Sequence, residues 1–451
     1  MTTVDRARLA TLRRRERDDY AARHARSAAL FAEGRHSLFA GVPMTWMAKW
    51  PGGFPLYLGQ ARGNRLTDVD GLSYLDFCLG DTGAMAGHSP QPLIDAVRRQ
   101  VDGGGLTTML PTPDAAEVGA ELARRFGLPQ WSFTLSATDA NRWAIRLARQ
   151  VTGRTKVLCF SYCYHGSVDE TFVVLDGGRP RSRPGNVGPA VDPTETTIVV
   201  EFNDVPALRG ALATGDVAVV IAEPALTNIG IVLPEPEFHD ELRRLTRETG
   251  TLLLIDETHT FSAGYGGCTG EWGLEPDIVT MGKSIGGGVP CGAYGISSEL
   301  ADLISRDSDA DLVDVGGVGG TLAGNPLSLA AMRATLAEVL TVEAFAGMSA
   351  LGHRYADGVQ GVIDSCRLPW SVTRLGARAE YRFTAPAPRT GGESAAAADE
   401  ALDDFLHLYL ANRGILLTPF HNMALMCPAT SAADVDRHLE VFGAAVRELV
   451  R

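Results

Sequence analysis

The sequence predicts an α/β fold, with a large domain on a mostly parallel sheet and a smaller α+β domain made from both chain ends. Three observations carry this expectation. From about Pro90 onward, short β-branched runs alternate with helical stretches of about 10 to 15 residues. That alternation implies right-handed crossovers and a sheet covered on both faces. The 451 residues, with 50 glycines, 45% hydrophobic and 21% charged, fit two or three substructures on one large core and exclude a disordered, collagenous or disulfide-built chain.

Taken in order, residues 6–33 have helical periodicity. Arg13, Arg14, Arg15 and Arg17 are interspersed with Asp5, Glu16, Asp18 and Asp19, so this is read as a solvated amphipathic helix of the folded protein and not as a transit peptide. Residues 43–80 alternate short apolar runs with Gly and Asp turns and predict a small antiparallel piece. Strands follow at 156–160, 197–200, 217–222, 252–255 and 277–280. Between two of them, Phe238, Leu242, Leu245 and Thr246 recur at helical spacing and Gly250 supplies the stop. The glycine-rich stretches 176–193 and 307–320 are read as functional covers or partner contacts. After Asn325-Pro326 a long helical stretch begins, and 371–451 return to mixed strand and helix, split by the alanine-rich 391–398. The expected division is 1–80 as the N-terminal part of the small domain, 81–330 as the large domain and 331–451 as the C-terminal part of the small domain. No internal repeat is evident.

A net charge of −13 repels polyanions, so no nucleic-acid partner is expected. Cys78, Cys159, Cys163, Cys268, Cys291, Cys366 and Cys427 are odd in number, scattered and without a C-x-x-C pair. Neither a disulfide frame nor a metal site is expected, and a reducing, cytoplasmic setting fits. No apolar run approaches the ~20 residues of a membrane span.

Three constellations could do chemistry. In the first, Ser136-Ala-Thr-Asp139 opens a helix whose Ala140, Ala144, Leu147 and Val151 share a face. A capped helix start with two hydroxyls and free N–H groups can cradle a phosphate, although most capped helices bind nothing. In the second, an apolar run ends in Asp256-Glu257, placing a carboxylate at the C-terminal edge of a parallel sheet, where ligands of such folds bind. A cofactor role, a metal site and a structural ion pair all suit it. In the third, Lys283 follows a short strand and precedes Gly286, Gly287 and Gly288. It is one of three lysines, with Lys49 and Lys156, and an amine in a dry pocket forms Schiff bases with aldehydes. A solvated loop lysine is the plainer reading. A P-loop fails, because Asp277 stands where its first glycine belongs.

Together these are what pyridoxal 5′-phosphate requires: a phosphate anchor, a carboxylate opposite the pyridine nitrogen and an amine for the aldehyde. On these residues the chain resembles the class III aminotransferases of fold type I, which include ω-amino acid and amine transaminases and the glutamate-1-semialdehyde aminomutases. The run from Gly282 to Pro290 is most similar to the aminomutase branch. The resemblance makes Lys283 the Schiff-base lysine and Asp256 the partner of the pyridine nitrogen, with Ser136, Ala137 and Thr138 at the phosphate. It implies that Tyr164 stacks on one face of the ring and Thr258 lies on the other. His165, Glu223 and Asn228 belong to the surrounding network, and His259 stands where relatives often carry Gln or Met. Thr321 resembles the threonine that reaches the phosphate of a neighbouring subunit, which implies a homodimer with shared sites.

The implied reaction is ping-pong transamination. Lys283 relays a proton while an amine donor passes its amino group through the cofactor to a keto acid. The family's arginine shortly after the catalytic Asp is missing from Phe261-Ser-Ala-Gly264. None stands in 42–47 either, and 135–140 replace the family's Asn-Ser-Gly-Thr-Glu-Ala. A bidentate arginine is the usual carboxylate receptor, so a donor whose carboxylate is distant or absent is expected, such as an amine or a β-amino acid. Trp46 and Trp50 are candidates for an apolar pocket wall or for plain core. Arg378, Arg382 and His421 are candidate carboxylate binders. Two alternatives stand beside this reading: an aminomutase or racemase on the same fold, and a non-catalytic protein that binds the cofactor.

Overall fold

A computed structural model of the chain describes residues 4–306 and 319–450. They form two compact units: 4–90, 346–387 and 397–450 make the smaller, and 91–306 and 319–345 with 388–396 the larger. The sequence predicts divisions at 80/81 and 330/331, whereas the units divide at 90/91 and 345/346. The later boundary arises because helix Pro326–Ala334 packs on helices Gln91–Arg99 and Pro113–Phe126 within the larger unit. Part of the alanine-rich stretch also belongs there. Helix Gly391–Ala396 is fastened by the Glu201 carboxylate, which accepts from Gly392 N at 3.2 Å, and by Ser394 donating to the Ile229 carbonyl.

Three strands come first, β1 (Leu58–Arg62), β2 (Arg65–Asp68) and β3 (Ser73–Asp76). Nine follow: β4 (Gln130–Thr134), β5 (Lys156–Phe160), β6 (Val173–Asp176), β7 (Arg179–Ser182), β8 (Thr197–Val200), β9 (Val217–Ala222), β10 (Leu252–Asp256), β11 (Ile278–Gly282) and β12 (Gly292–Ile296). The last four are β13 (Ser371–Leu375), β14 (Arg378–Arg382), β15 (Ile415–Leu416) and β16 (Met423–Leu425).

In the smaller unit β1, β2 and β3 pair antiparallel, as the turn-rich sequence predicts, and β15 adds parallel to β3. The N-terminal helical stretch is two helices, Arg6–Arg23 and Ala25–Gly34. The break at His24 has no proline or glycine to announce it. Its buried ring sits between the Tyr20 carbonyl at 2.6 Å and the Tyr74 hydroxyl at 2.6 Å. The first helix is not wholly solvated, since Leu9, Leu12, Glu16 and Tyr20 are buried, and Arg413 and Asn412 hold the Glu16 carboxylate.

The larger unit is built on a seven-stranded sheet in the order β4-β12-β11-β10-β9-β5-β8, parallel except for β12. Every residue of β9 is buried, as a strand covered on both faces must be. Helix Phe238–Thr249 buries Phe238, Leu242, Leu245 and Thr246 and stops at Gly250. The stretch 176–193 contributes β7 to a hairpin with β6; residues 307–318 of the other glycine-rich stretch lie outside the described residues. The alignment that matters for function is the common edge. Ala222, Asp256 and Gly282 end β9, β10 and β11, and the registers Ile255↔Ala222 and Asp256↔Thr280 bring those ends together.

Leu254, at 0% exposure in the middle of this edge-defining strand, provides a test of the core. Leu254→Ala should lower unfolding stability by about 2–5 kcal/mol, read from the urea midpoint of the cofactor-free chain. An unchanged midpoint would contradict the packing described.

Candidate active site

The carboxyl ends of β5, β9, β10 and β11 lead directly into the residues the sequence singles out, all within the larger unit. After β4 the chain turns into helix Ala137–Thr152. Ser136 caps it, its hydroxyl accepting from Asp139 N at 3.2 Å and donating to the Asp139 carboxylate at 2.9 Å. The N–H groups of Ala137 and Thr138 lie in the first turn, where a helix offers no internal acceptor, so they and the helix dipole suit an anion. Two glycines bring other segments onto this turn. A Cβ on Gly282 would lie 2.9 Å from the Ala137 nitrogen, which sets the strand leading into Lys283 against the helix start. A Cβ on Gly166 would come within 2.0 Å of Thr138 Oγ1, and its φ of +79° is one that other residues rarely adopt. The next residue, Ser167, donates its N–H to Thr138 Oγ1 at 3.2 Å.

Asp256 is 3% exposed and fully engaged. Its Oδ2 meets His165 Nδ1 at 2.9 Å and accepts from Asn141 Nδ2 at 2.8 Å, while Oδ1 accepts from Thr258 N at 3.0 Å. Asn141 also donates to the His165 carbonyl at 3.0 Å and accepts from Thr280 Oγ1 at 2.6 Å. Burial by itself would raise the Asp256 carboxyl; His165, Thr258 and Asn141 outweigh it and hold the group below the ordinary carboxylate range. For His165 burial disfavours the cation, but Cys163 and Asp256 raise the ring well above its usual value. Cys163 is itself pushed up by Cys159 and by burial, so its thiol is neutral and Asp256 is the partner that matters. The result is a buried ion pair with the negative charge at the strand end. Asn141 and Thr280 were not anticipated. An Asn beside the apolar face of a buried helix was the available signal.

Lys283 is half-buried on the turn that follows β11 and has a φ of +51°. A left-handed conformation is costly for a lysine and persists where surrounding structure enforces it. Its Nζ lies 2.8 Å from His259 Nε2. The hydroxyls of Thr258 and Ser284 flank this region, buried and without hydrogen-bond partners among the described residues. Glu223 is buried and anchors the loop bearing Tyr164. Its Oε1 accepts from Tyr164 N at 3.1 Å and its Oε2 from Thr227 N at 2.9 Å, with burial pushing the carboxyl above its ordinary range. Asn228 is half-buried in the turn between the bridged Leu226 and Val232. Thr321 is exposed, in a turn whose glycines Gly319 and Gly324 approach Thr134 and Phe133.

The competing readings also find their places. Lys156 pairs with Asp216 at 2.9 Å, and Lys49 lies over the Trp46 ring in the smaller unit. Asp277, the residue that ruled out a P-loop, is clamped by both Nη atoms of Arg243 at 2.8 Å. Glu257 is spent inside the fold on Thr260, Thr269 and Cys268 N. In the smaller unit Trp50 packs on the core of Tyr74, Ala411 and Leu416, and Trp46 stands edge-on to Phe420. Arg378 donates to Thr82 Oγ1 at 2.7 Å, Arg382 is buried on β14, and His421 lies 3.5 Å from Glu380.

Residues 46–446 match the family model for class-III aminotransferases. The glutamate-1-semialdehyde 2,1-aminomutase of Persephonella marina is 33% identical over 92% of this chain and 96% of its own. Among solved structures, a glutamate-1-semialdehyde aminomutase from Pseudomonas aeruginosa has a TM-score of 0.96 at 50% identity, covering 99% of both chains, and a variant of it was solved in complex with PMP. A β-phenylalanine aminotransferase from Variovorax paradoxus has a TM-score of 0.85 at 26% identity over 97% of this chain and 96% of that one.

The cradle, the ionised Asp256, the amine and two unpartnered hydroxyls fit pyridoxal phosphate, and the cradle depends on Gly166. Gly166→Ala should therefore weaken retention of the cofactor by about tenfold or more, a loss of ~1.4 kcal/mol, measured as bound cofactor after equilibrium dialysis. Wild-type retention in a folded variant would contradict the cradle.

Proposed function

This chain belongs to the class III aminotransferase family, and from that premise we propose that it is an aminomutase, moving an amino group between adjacent carbons of one small molecule. Its cofactor is pyridoxal 5′-phosphate. The Persephonella marina relative and the Pseudomonas aeruginosa structure are named as aminomutases, which supports the sequence's alternative over its first reading of transfer between separate donor and acceptor. A keto acid acceptor is then not required. The substrate we infer is glutamate 1-semialdehyde or a close analogue. In that molecule an aldehyde replaces the α-carboxylate and the remaining carboxylate is distant, in keeping with the missing arginine at Phe261-Ser-Ala-Gly264.

The observation that carries this reading is the convergence of Lys283, the Asp256–His165 pair and the helix start on one sheet edge. When bound, the cofactor supplies an aldehyde that captures amines and a ring that accepts electrons from a substrate C–H bond. The chain supplies the rest. Ser136, Ala137 and Thr138 hold the phosphate with a hydroxyl cap, first-turn N–H groups and the helix dipole. Asp256, kept anionic by His165, Asn141 and Thr258, holds a proton on the ring nitrogen. Tyr164, set by the grip of Glu223 on its backbone, and Thr258 confine the ring from its faces. Lys283 Nζ takes a proton from one carbon and returns it to another, as a positioned general acid–base. We also propose a homodimer, with Thr321 reaching toward the partner's phosphate; its exposure and that of Leu322 at 53% support this.

Lys283→Ala should reduce turnover about 10²–10⁴-fold, the range of a general acid–base, and Asp256→Asn should retain cofactor while losing most of its rate. Turnover at the wild-type rate in either variant would refute the assigned role. Purified enzyme given glutamate 1-semialdehyde alone should form its isomer, with the amino group on C1 and the carbonyl on C2, and release no product that has lost its amino group. Conversion that occurs only on adding a separate keto acid would return the reading to transamination.

A further inference from the structure

His259 follows Asp256 by three residues, in the turn leaving β10, and is 7% exposed. Its Nε2 lies 2.8 Å from Lys283 Nζ. At that distance a hydrogen bond needs one nitrogen to donate and the other to accept.

The titratable groups around this pair have their own engagements. Asp256 is held by His165, Asn141 and Thr258 N, and His165 in turn by Asp256. Glu257, next to His259 in sequence, is bound by Thr260, Thr269 and Cys268 N. Glu223, at the end of the neighbouring β9, is bound by Tyr164 N and Thr227. The imidazole is the basic group the geometry sets against the amine.

We propose that His259 is a positioning residue for Lys283, holding the amine by its hydrogen bond and taking up the amine's proton at Nε2. The N–H bond at Nζ breaks as the one at Nε2 forms, and the freed lone pair attacks the cofactor's aldehyde carbon. The attacking nitrogen passes one of its remaining protons to the aldehyde oxygen, and the imidazolium returns its own to the resulting hydroxyl, so that water leaves as the C=N bond forms and Nε2 is neutral again. The inference rests on the cofactor reading above. It adds that Lys283 is held, and relieved of its proton, by a partner 24 residues earlier in the chain.

The test uses the full-length protein stripped of cofactor. Pyridoxal 5′-phosphate is added at a series of pH values from 6 to 9, the reaction is quenched with borohydride, and the labelled peptide bearing Lys283 is quantified by mass spectrometry. His259→Gln keeps a polar side chain of similar reach and lacks the basic nitrogen. It should label at the wild-type rate at pH 9 and about tenfold or more slowly at pH 7, tenfold being the effect of a one-unit displacement in proton uptake. His259→Ala should show the same loss, and added imidazole should restore its labelling at pH 7. Superimposable rate–pH curves, or slowing by one constant factor at every pH without imidazole rescue, would overturn the proposal and leave the cofactor reading intact. Wild-type protein that acquires no label at Lys283 at any pH would overturn both.

Discussion

A carboxylate at the end of a buried strand cannot stand alone. Removing its hydration costs several kcal/mol unless partners inside the protein replace it, and Asp256 sits at the edge of a sheet covered on both faces. The fold answers with three elements. His165 comes from the loop after β5, Asn141 from the first turns of helix Ala137–Thr152, and Thr258 N from the turn that β10 itself begins. Each partner is fixed in turn, Asn141 by Thr280 of β11 and by the His165 carbonyl. Satisfying this one charge therefore brings the helix proposed to hold the phosphate and the loop carrying Tyr164 to the end of β10 and, through Thr280, to β11, from which the Lys283 turn departs. The arrangement that keeps Asp256 ionised is the arrangement that assembles the site.

Close backbone approach completes what the charge begins. Gly282 carries the end of β11 against the nitrogen of Ala137, and Gly166 carries the Tyr164 loop over Thr138. Lys283 then leaves the strand in a left-handed conformation that directs a short, constrained turn. The chemistry follows from these placements: an anion cradle, a fixed negative charge and an amine at one edge, with an imidazole beside the amine. The absence of an arginine from Phe261-Ser-Ala-Gly264 is in keeping with the proposed substrate, which carries an aldehyde in place of an α-carboxylate.

Much of this was legible in the sequence because it is local. β5, β8, β9, β10 and β11 announce themselves as β-branched runs, and the cap at Ser136, the strand-end Asp256 and the lysine among glycines are each readable from a few adjacent residues. What was missed depends on pairing at a distance. β4 and β12 escape notice because Gln130-Trp-Ser-Phe-Thr134 is half polar and Gly292-Ala-Tyr-Gly-Ile296 is diluted by two glycines, so their strand form comes from pairing, β4 with β12 and β12 with β11. The N-terminal helix breaks at His24 through contacts to Tyr20 and Tyr74, which no breaker residue signals. The domain boundaries shifted because helix Pro326–Ala334 finds its packing partners in helices more than 200 residues earlier. Trp50, for which the sequence leaves a pocket wall and plain core packing open, takes the second, against the core of the smaller unit. Asn141 as a partner of Asp256, and His259 as a partner of Lys283, are visible only once strand ends are brought together.

The central claim is that Asp256 is an ionised carboxylate positioned to hold a proton on the heterocycle of a cofactor bound to Lys283. A crystal structure of the protein with pyridoxal 5′-phosphate tests it most directly. The account predicts electron density continuous from Lys283 Nζ into the cofactor, the phosphate on the N–H groups of Ala137 and Thr138, and the ring nitrogen within about 2.7–3.2 Å of an Asp256 oxygen. A ring nitrogen that faces another group, with Asp256 still paired to His165 and remote from the ligand, would contradict it.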